Sequence, residues 1–302
     1  MTEHPGKRVF FESYSHYFDR ADVVSEYASF EFLQPPEKRI LEELRPRLPG
    51  ARMLDVGVGA GRTTLHFAPL VREYVGIDLS PSMIEACRKR FSGTSWNVTF
   101  EIADIRDLGG FDSASFDFVL FSFNGIDTVG GLDDRSAALA EIHRVCRPGG
   151  LFCFSSTNLR FALFRASMFA SLWRFLLSHP RTAVRHPKRL RRFIAESKRW
   201  KRLNPTLHTL AIQGGGLVVE DRSRFEFVEG FYESPRERIR VEKYYIMPRK
   251  QAEQLEAVGF RDLRTFGMDG HEVHGNGGGR LIPWWWLYYF SIRDSEPRGE
   301  VG

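Results

Sequence analysis

One stretch has residue types and spacing that can do chemistry as they stand: LDVGVGAGRTT, residues 54–64. Leu54 closes an apolar run, Asp55 follows, and Gly57, Gly59 and Gly61 recur at every second position before a helix-length segment. Glycine is needed where a backbone turns tightly and a ligand must approach a strand end with no Cβ in its way. A dinucleotide-binding turn of the GxGxxG kind is excluded, because Arg62 stands where its third glycine would be. A P-loop is excluded too, since no Lys-Ser/Thr pair follows the glycines. Some twenty residues on, the apolar run YVGIDL ends at Asp78, where a carboxylate can accept both hydroxyls of a ribose. A third run delivers Asp104 in EIADIRDL. One acid after a strand is commonly just a surface carboxylate, but two in the same register behind one glycine turn point to a shared ligand.

Those residues have to be held by regular elements, and from Met53 the pattern is regular. Short apolar runs (ARMLDVG, EYVGIDL, VTFEIADI, FDFVLFSF, GLFCFSST) alternate with helix-length segments (GRTTLHFAPLV, PSMIEACRKRF, DRSAALAEIHRVC). Such alternation predicts parallel βαβ units with helices on both faces, and ligands then bind at the carboxyl ends of the strands. Chemistry is therefore expected just after Leu54, Ile77, Ile102 and Phe121. Before this core, residues 1–34 read as an aromatic, acidic cover with one or two short helices between Phe10 and Leu33, and Glu37 to Leu44 as a helix. The core spans 35–157 on this reading, followed by an insertion over 158–246 that is basic and helix-like to Leu203 and β-like from Thr206. Residues 247–294 return a helix with proline near its start and two final strands, RDLRTFGM and WWWLYYFSIRD, and 295–302 read as a frayed tail.

Taken together, LDVGVGAG, GIDLSPSMIEACRKR, IADIRDL and HRVCRPGGLFCFSS resemble the motifs of class I S-adenosylmethionine-dependent methyltransferases, from about Glu37 to Thr157 and again from Pro248 to Arg293. The likeness is nearest to members acting on small metabolites, including quinone precursors and natural-product sugars. It implies an α/β fold: a Rossmann-like sheet of seven strands, the last antiparallel, with a large α+β insertion after the fifth strand. It also implies S-adenosyl-L-methionine as cofactor and S-adenosyl-L-homocysteine as product. Carried over residue by residue, Asp55 and the backbone of Gly57, Gly59 and Gly61 would face the methionine moiety, and Asp78 the ribose. Leu79 and Met83 would meet the adenine face, Asp104 and the Ile105 backbone its edge, and Phe121 and Ser122 the far side. The Tyr-rich N-terminal segment is similar to a lid over the cofactor, with Tyr17 and Tyr27 candidates for its carboxylate end; the alternative is that they are packing residues on a helix.

A sulfonium methyl is already electrophilic, so such a protein has mainly to align an acceptor lone pair and exclude water. A hydroxyl acceptor would gain from a general base, and His271, with His274 in the same loop, is the candidate, against a structural or solvated histidine. Asn124 and Asp127 follow the fourth strand, where an acceptor approaches, and Asn124 is the substrate-site candidate. HEVH lacks the HExxH spacing of a zinc helix, so no metal is expected.

At 302 residues and 42% hydrophobic content the chain can bury a large core, and its net charge of +5 is mild. Three cysteines without a CxxC pair fit a reducing cytoplasm, and no signal-peptide h-region or uncharged run of some 18 residues occurs. Ten of the basic residues fall between Arg181 and Arg202, with Phe193, Ile194 and Trp200 among them and Glu196 the one acid. Residues 160–202 are thus either a solvated helix face over a cap, a contact for an anionic or lipid-linked acceptor, or a contact for an anionic membrane at its inner face. Nucleic acid is the least favoured partner, because no RRM- or KH-type signature accompanies the charge. Three classes stay open: a methyltransferase acting on a small-molecule acceptor, a cofactor-binding but inactive regulatory or scaffold protein, and a membrane-surface binding protein that retains the fold.

Overall fold

The computed structural model describes residues 17–162, 227–233, 240–273 and 284–295. Strands β1 (Arg52–Val56), β2 (Glu73–Asp78), β4 (Phe116–Phe121) and β5 (Cys146–Thr157) are apolar along most of their length, as parallel strands covered on both faces must be. β3 (Val98–Ile102) is an edge strand and alternates more. The last two strands, β8 (Phe260–Phe266) and β9 (Trp286–Arg293), pair antiparallel, and the seven-stranded order is β3-β2-β1-β4-β5-β9-β8. Order reverses between β1 and β4, so the loops after these two strands part and leave a crevice at their carboxyl ends.

Helices α1 (Ala21–Ala28) and α2 (Pro35–Leu44) precede the sheet. Proline at the first positions of α2 needs no N–H there, and Gln34 and Glu37 close a capping box, which fixes where that helix starts. Its Ile40, Leu41 and Leu44 join Met53, Phe67, Tyr74, Phe118 and Tyr288 in one core. The segment after the glycines makes only a single turn of helix, α3 (Thr64–Phe67), then a 3-10 turn at Ala68–Leu70. Pro69 has no N–H for the i→i−4 ladder, so the longer helix expected there stops. α4 (Pro81–Phe91) begins at Ser80, whose hydroxyl accepts from the Met83 N–H at 3.1 Å, while α5 (Gly131–Val145) and α6 (Pro248–Val258) match their expected positions.

Two compact units divide the described residues: 17–156, 252–273 and 286–295 in the first, and 157–162, 227–233, 240–251 and 284–285 in the second. The second contains the antiparallel pair β6 (Phe227–Glu233) and β7 (Arg240–Ile246) and a small cluster of Leu159, Ala162 and Tyr245 with Met247 and Trp285. The basic run Arg181–Arg202, His274 and the N-terminal part of the cover lie outside the described residues. Among the described residues no helix is long and apolar enough to cross a membrane, and no group of side chains could hold a metal ion.

Candidate functional site

A cleft of about 850 Å³, open to solvent, lies at the carboxyl ends of the strands in the first unit. It is lined by Gly57 and Gly59 after β1, Asp78 and Leu79 after β2, Met83 on α4, Asp104 and Ile105 after β3, and Phe121 and Ser122 at the end of β4. The fold thus brings together most of the residues picked out from the glycine turn and the two acids. Phe18 and Tyr27 reach it from the N-terminal cover, whereas Tyr17 is buried beside Phe18, with ring centroids 4.9 Å apart, and is not part of the lining.

The turn has the backbone that its glycines license: φ is +62° at Gly57, +55° at Gly59 and +84° at Gly61. A Cβ on Gly61 would lie 2.4 Å from the Phe91 ring, so this glycine also admits α4 against the turn. Asp78 reaches back to the turn, its Oδ2 accepting the Gly59 N–H at 2.9 Å and its Oδ1 the Ser80 N–H at 2.9 Å. Burial raises its pKa, and those N–H groups oppose the rise. One carboxylate therefore both fixes the turn and stands at the cleft wall.

Asp55 takes a different path. It is buried and lines a smaller cavity with Arg62, Thr63 and Phe30; Gly57, Gly59, Ser122 and Phe123 are walls common to both cavities. Its Oδ2 accepts hydrogen bonds from the hydroxyls of Thr63 and Tyr74. Burial raises its pKa to about 6 against the lowering effect of those two bonds. Asp104 shows the opposite balance: burial pushes its pKa up, but the Arg106 guanidinium and backbone N–H outweigh it and hold the carboxyl below its usual value. Arg106 donates to Asp104 at 2.5 Å and to Asp134 at 3.0 Å.

The sequence gave no reason to expect the site's largest polar assembly. Glu37 on α2 receives Arg62 in bidentate fashion at 2.6 and 2.7 Å, the Gln34 N–H at 2.7 Å, Tyr288 Oη at 2.9 Å and the Ser122 hydroxyl. Arg62 also donates to the Phe32 carbonyl at 2.9 Å and to Ser122 Oγ at 3.2 Å. The Glu37 side chain is 0% exposed and that of Arg62 9%. Ser122, expected simply at the cofactor's far side, is thus also a junction of this network. The spacing Gln34-x-x-Glu37 was a legible signal, but of a helix start; nothing local marks its partners.

After β4 the chain enters left-handed backbone at two successive non-glycine residues, Phe123 (φ +55°) and Asn124 (φ +58°). Asn124 is buried and absent from the lining of both cavities, its N–H donates to Ser155 Oγ at 2.8 Å, and its carboxamide has no partner among the described residues. Asp127 is also buried, accepting from Ser156 Oγ at 2.5 Å and pairing with the fully buried Arg135 at 3.3 Å. An aspartate so engaged supports the loop from behind. His271 is exposed, its N–H donating to Asp269 Oδ1 at 3.1 Å, and it lines neither cavity.

Residues 54–154 match a family model described as a methyltransferase domain. A demethylmenaquinone methyltransferase of Staphylococcus aureus is 30% identical over 171 residues, which cover 55% of this chain and 66% of that relative, so the chain spans just under two thirds of its length. Among solved structures, an S-adenosylmethionine-dependent methyltransferase from Clostridium acetobutylicum is similar with a TM-score of 0.53 at 13% identity, covering 94% of this chain and 99% of that one. The DhpI–SAH complex gives 0.53 at 16% identity, with coverage of 95% and 98%. At those identities the likeness is one of fold, and it agrees with the strand order, the antiparallel end of the sheet and the glycine turn. The chain belongs to the class I S-adenosylmethionine-dependent methyltransferases, with S-adenosylmethionine as its cofactor.

Proposed function

We propose that the protein transfers a methyl group from S-adenosylmethionine to an O, N or C atom of a small metabolite, by in-line displacement. The observation that carries this reading is the convergence of the Gly57–Gly61 turn, Asp78 and Asp104 on a single cleft. When bound, the cofactor supplies an electrophilic sulfonium methyl. Asp78 accepts from the ribose hydroxyls, Leu79 and Met83 cover one adenine face, and Asp104 with the Ile105 backbone meets the adenine edge. Asp55, at the smaller cavity, pairs with the methionine ammonium, and its charge near neutral pH suits that role. Phe121 and Ser122 close the far side. Rate enhancement then comes mainly from alignment and exclusion of water.

The acceptor reading draws on the sequence: the basic run within 160–202 supports an anionic, sugar- or lipid-linked metabolite, or an anionic membrane surface beside it. Flotation with anionic vesicles at low and high salt tests the surface, and no binding at low salt removes it. The activity itself is tested by calorimetry with S-adenosylmethionine and by labelled methyl transfer into a metabolite extract. Cofactor binding with transfer into at least one compound is expected. Absence of binding overturns the reading, and binding with no transfer to any acceptor class leaves a cofactor-binding protein without turnover.

A further inference from the structure

We propose that Phe123 is the wall on which a flat, unsaturated ring of the acceptor stacks, making it a specificity-determining residue; this rests on the methyltransferase reading above. Left-handed backbone is uncommon for any non-glycine residue and an outlier for a bulky one, and such strain persists where the surroundings impose it, typically at ligand sites. Here the surroundings do impose it. Behind the loop, Ser155 holds the Asn124 N–H at 2.8 Å, and Asp127 is fixed by Ser156 and Arg135. Gly125 is pinned as well, since a Cβ there would fall 2.2 Å from the Phe121 ring.

Burial of the ring does not account for this conformation, because Phe123 stays partly exposed and borders both cavities. Its neighbours make an aromatic wall. Trp286 meets it edge-on at 5.7 Å, Phe32, itself 45% exposed, lies at 6.3 Å, and the Arg62 guanidinium sits 4.2 Å from the ring centroid. Aromatic rings at such distances favour another π-face. The Trp286 indole N–H, next to this ring, has no acceptor among the described residues. A ring carrying an oxygen would complement both features: a face for Phe123 and an acceptor for the indole. A saturated polyol offers no such face.

The probe is 2-naphthol, titrated calorimetrically into the full chain saturated with S-adenosylhomocysteine. Wild type and Phe123→Tyr should bind it, and Phe123→Gly should bind it at least tenfold more weakly. S-adenosylhomocysteine affinity should stay within about twofold in Phe123→Gly, and Tm should be no lower than wild type, because glycine adopts this backbone without strain. No binding of 2-naphthol to the wild-type complex, or equal binding by Phe123→Gly, overturns the assignment. So does a fall in Tm of several degrees, which would make Phe123 a packing residue, or a parallel loss of S-adenosylhomocysteine affinity, which would give the ring to the cofactor. Should wild type fail to bind S-adenosylhomocysteine at all, the methyltransferase reading fails first and takes this one with it.

Discussion

At the end of the cleft next to β2 and β3, each acid is held by something close in the chain. Asp104 takes Arg106 two residues on, while Asp78 takes the Ser80 N–H two residues on and the Gly59 N–H 19 residues back. Toward β4 and β9, Glu37 gathers Arg62, Ser122 and Tyr288, which stand 25, 85 and 251 residues away. The first arrangement leaves carboxylates at a solvent-open wall, where a ligand can reach them. The second removes both charges from water and leaves a neutral, hydrogen-bonded brace joining α2, the glycine turn, the end of β4 and the last strand. Recognition and support are separate jobs here, assigned to groups of contrasting burial.

That contrast is sharpest in what each end loses when cut. Glu37→Ala strands a buried guanidinium and the Ser122 and Tyr288 hydroxyls together, and should cost about 3–5 kcal/mol in urea unfolding. The double variant Glu37→Gln, Arg62→Met should recover much of that, because it removes the unpaired charge. If Glu37→Ala unfolds like wild type, the brace carries no weight and the contrast is wrong. Asp78→Ala should do the reverse, weakening S-adenosylmethionine binding about ten- to a hundredfold, the range for a lost charged hydrogen bond, while leaving Tm nearly unchanged. Unchanged affinity in calorimetry would mean that the ribose site lies elsewhere.

Asp55 lies between these extremes, and pH separates its two roles. Its pKa near 6 in the folded protein predicts that cofactor affinity falls about tenfold from pH 7 to pH 5, as the carboxylate that would pair with the ammonium takes up a proton. Stability of the ligand-free protein should respond with the opposite sign. A folded-state pKa raised above the model 3.8 means that the folded state holds the proton more tightly. This contribution is therefore fully present below about pH 4 and lost as pH rises through 6. Affinity that is flat across this range in calorimetry, or identical in Asp55→Asn, would take Asp55 out of the binding surface. The smallest effect belongs to Asp104→Asn. Its partly exposed pairing with Arg106 should contribute no more than about 1 kcal/mol to thermal stability, and cofactor affinity should change only a few-fold.

Much of the parallel sheet was legible because buried parallel strands write continuous apolar runs, and because glycine and proline mark turns whatever lies around them. The element sequence from β1 to β5, the return in α6, β8 and β9, and the cleft-lining positions of Gly57, Gly59, Asp78, Leu79, Met83, Asp104 and Ile105 followed from such local signals. Where an assignment depended on which neighbour a side chain finds, local signals were insufficient. Tyr17 and Tyr27 are equivalent as letters, yet Tyr27 lines the cleft and Tyr17 packs behind it. Asn124 and Asp127 were adjacent candidates for an acceptor, and the structure makes one an unpartnered buried amide and the other half of a buried ion pair.

Sequence alone determined the fold class, the glycine turn and the two strand-end acids, since each depends on backbone geometry and periodicity within some twenty residues. Tertiary structure alone decided that Arg62, which merely spoils a dinucleotide motif on paper, is neutralised by Glu37, and that Phe123 is held in strained backbone at the meeting of two cavities. The reason is physical: pairing a buried charge or imposing strain requires groups far apart in the chain to meet, and no pattern within a single helix or strand records that meeting.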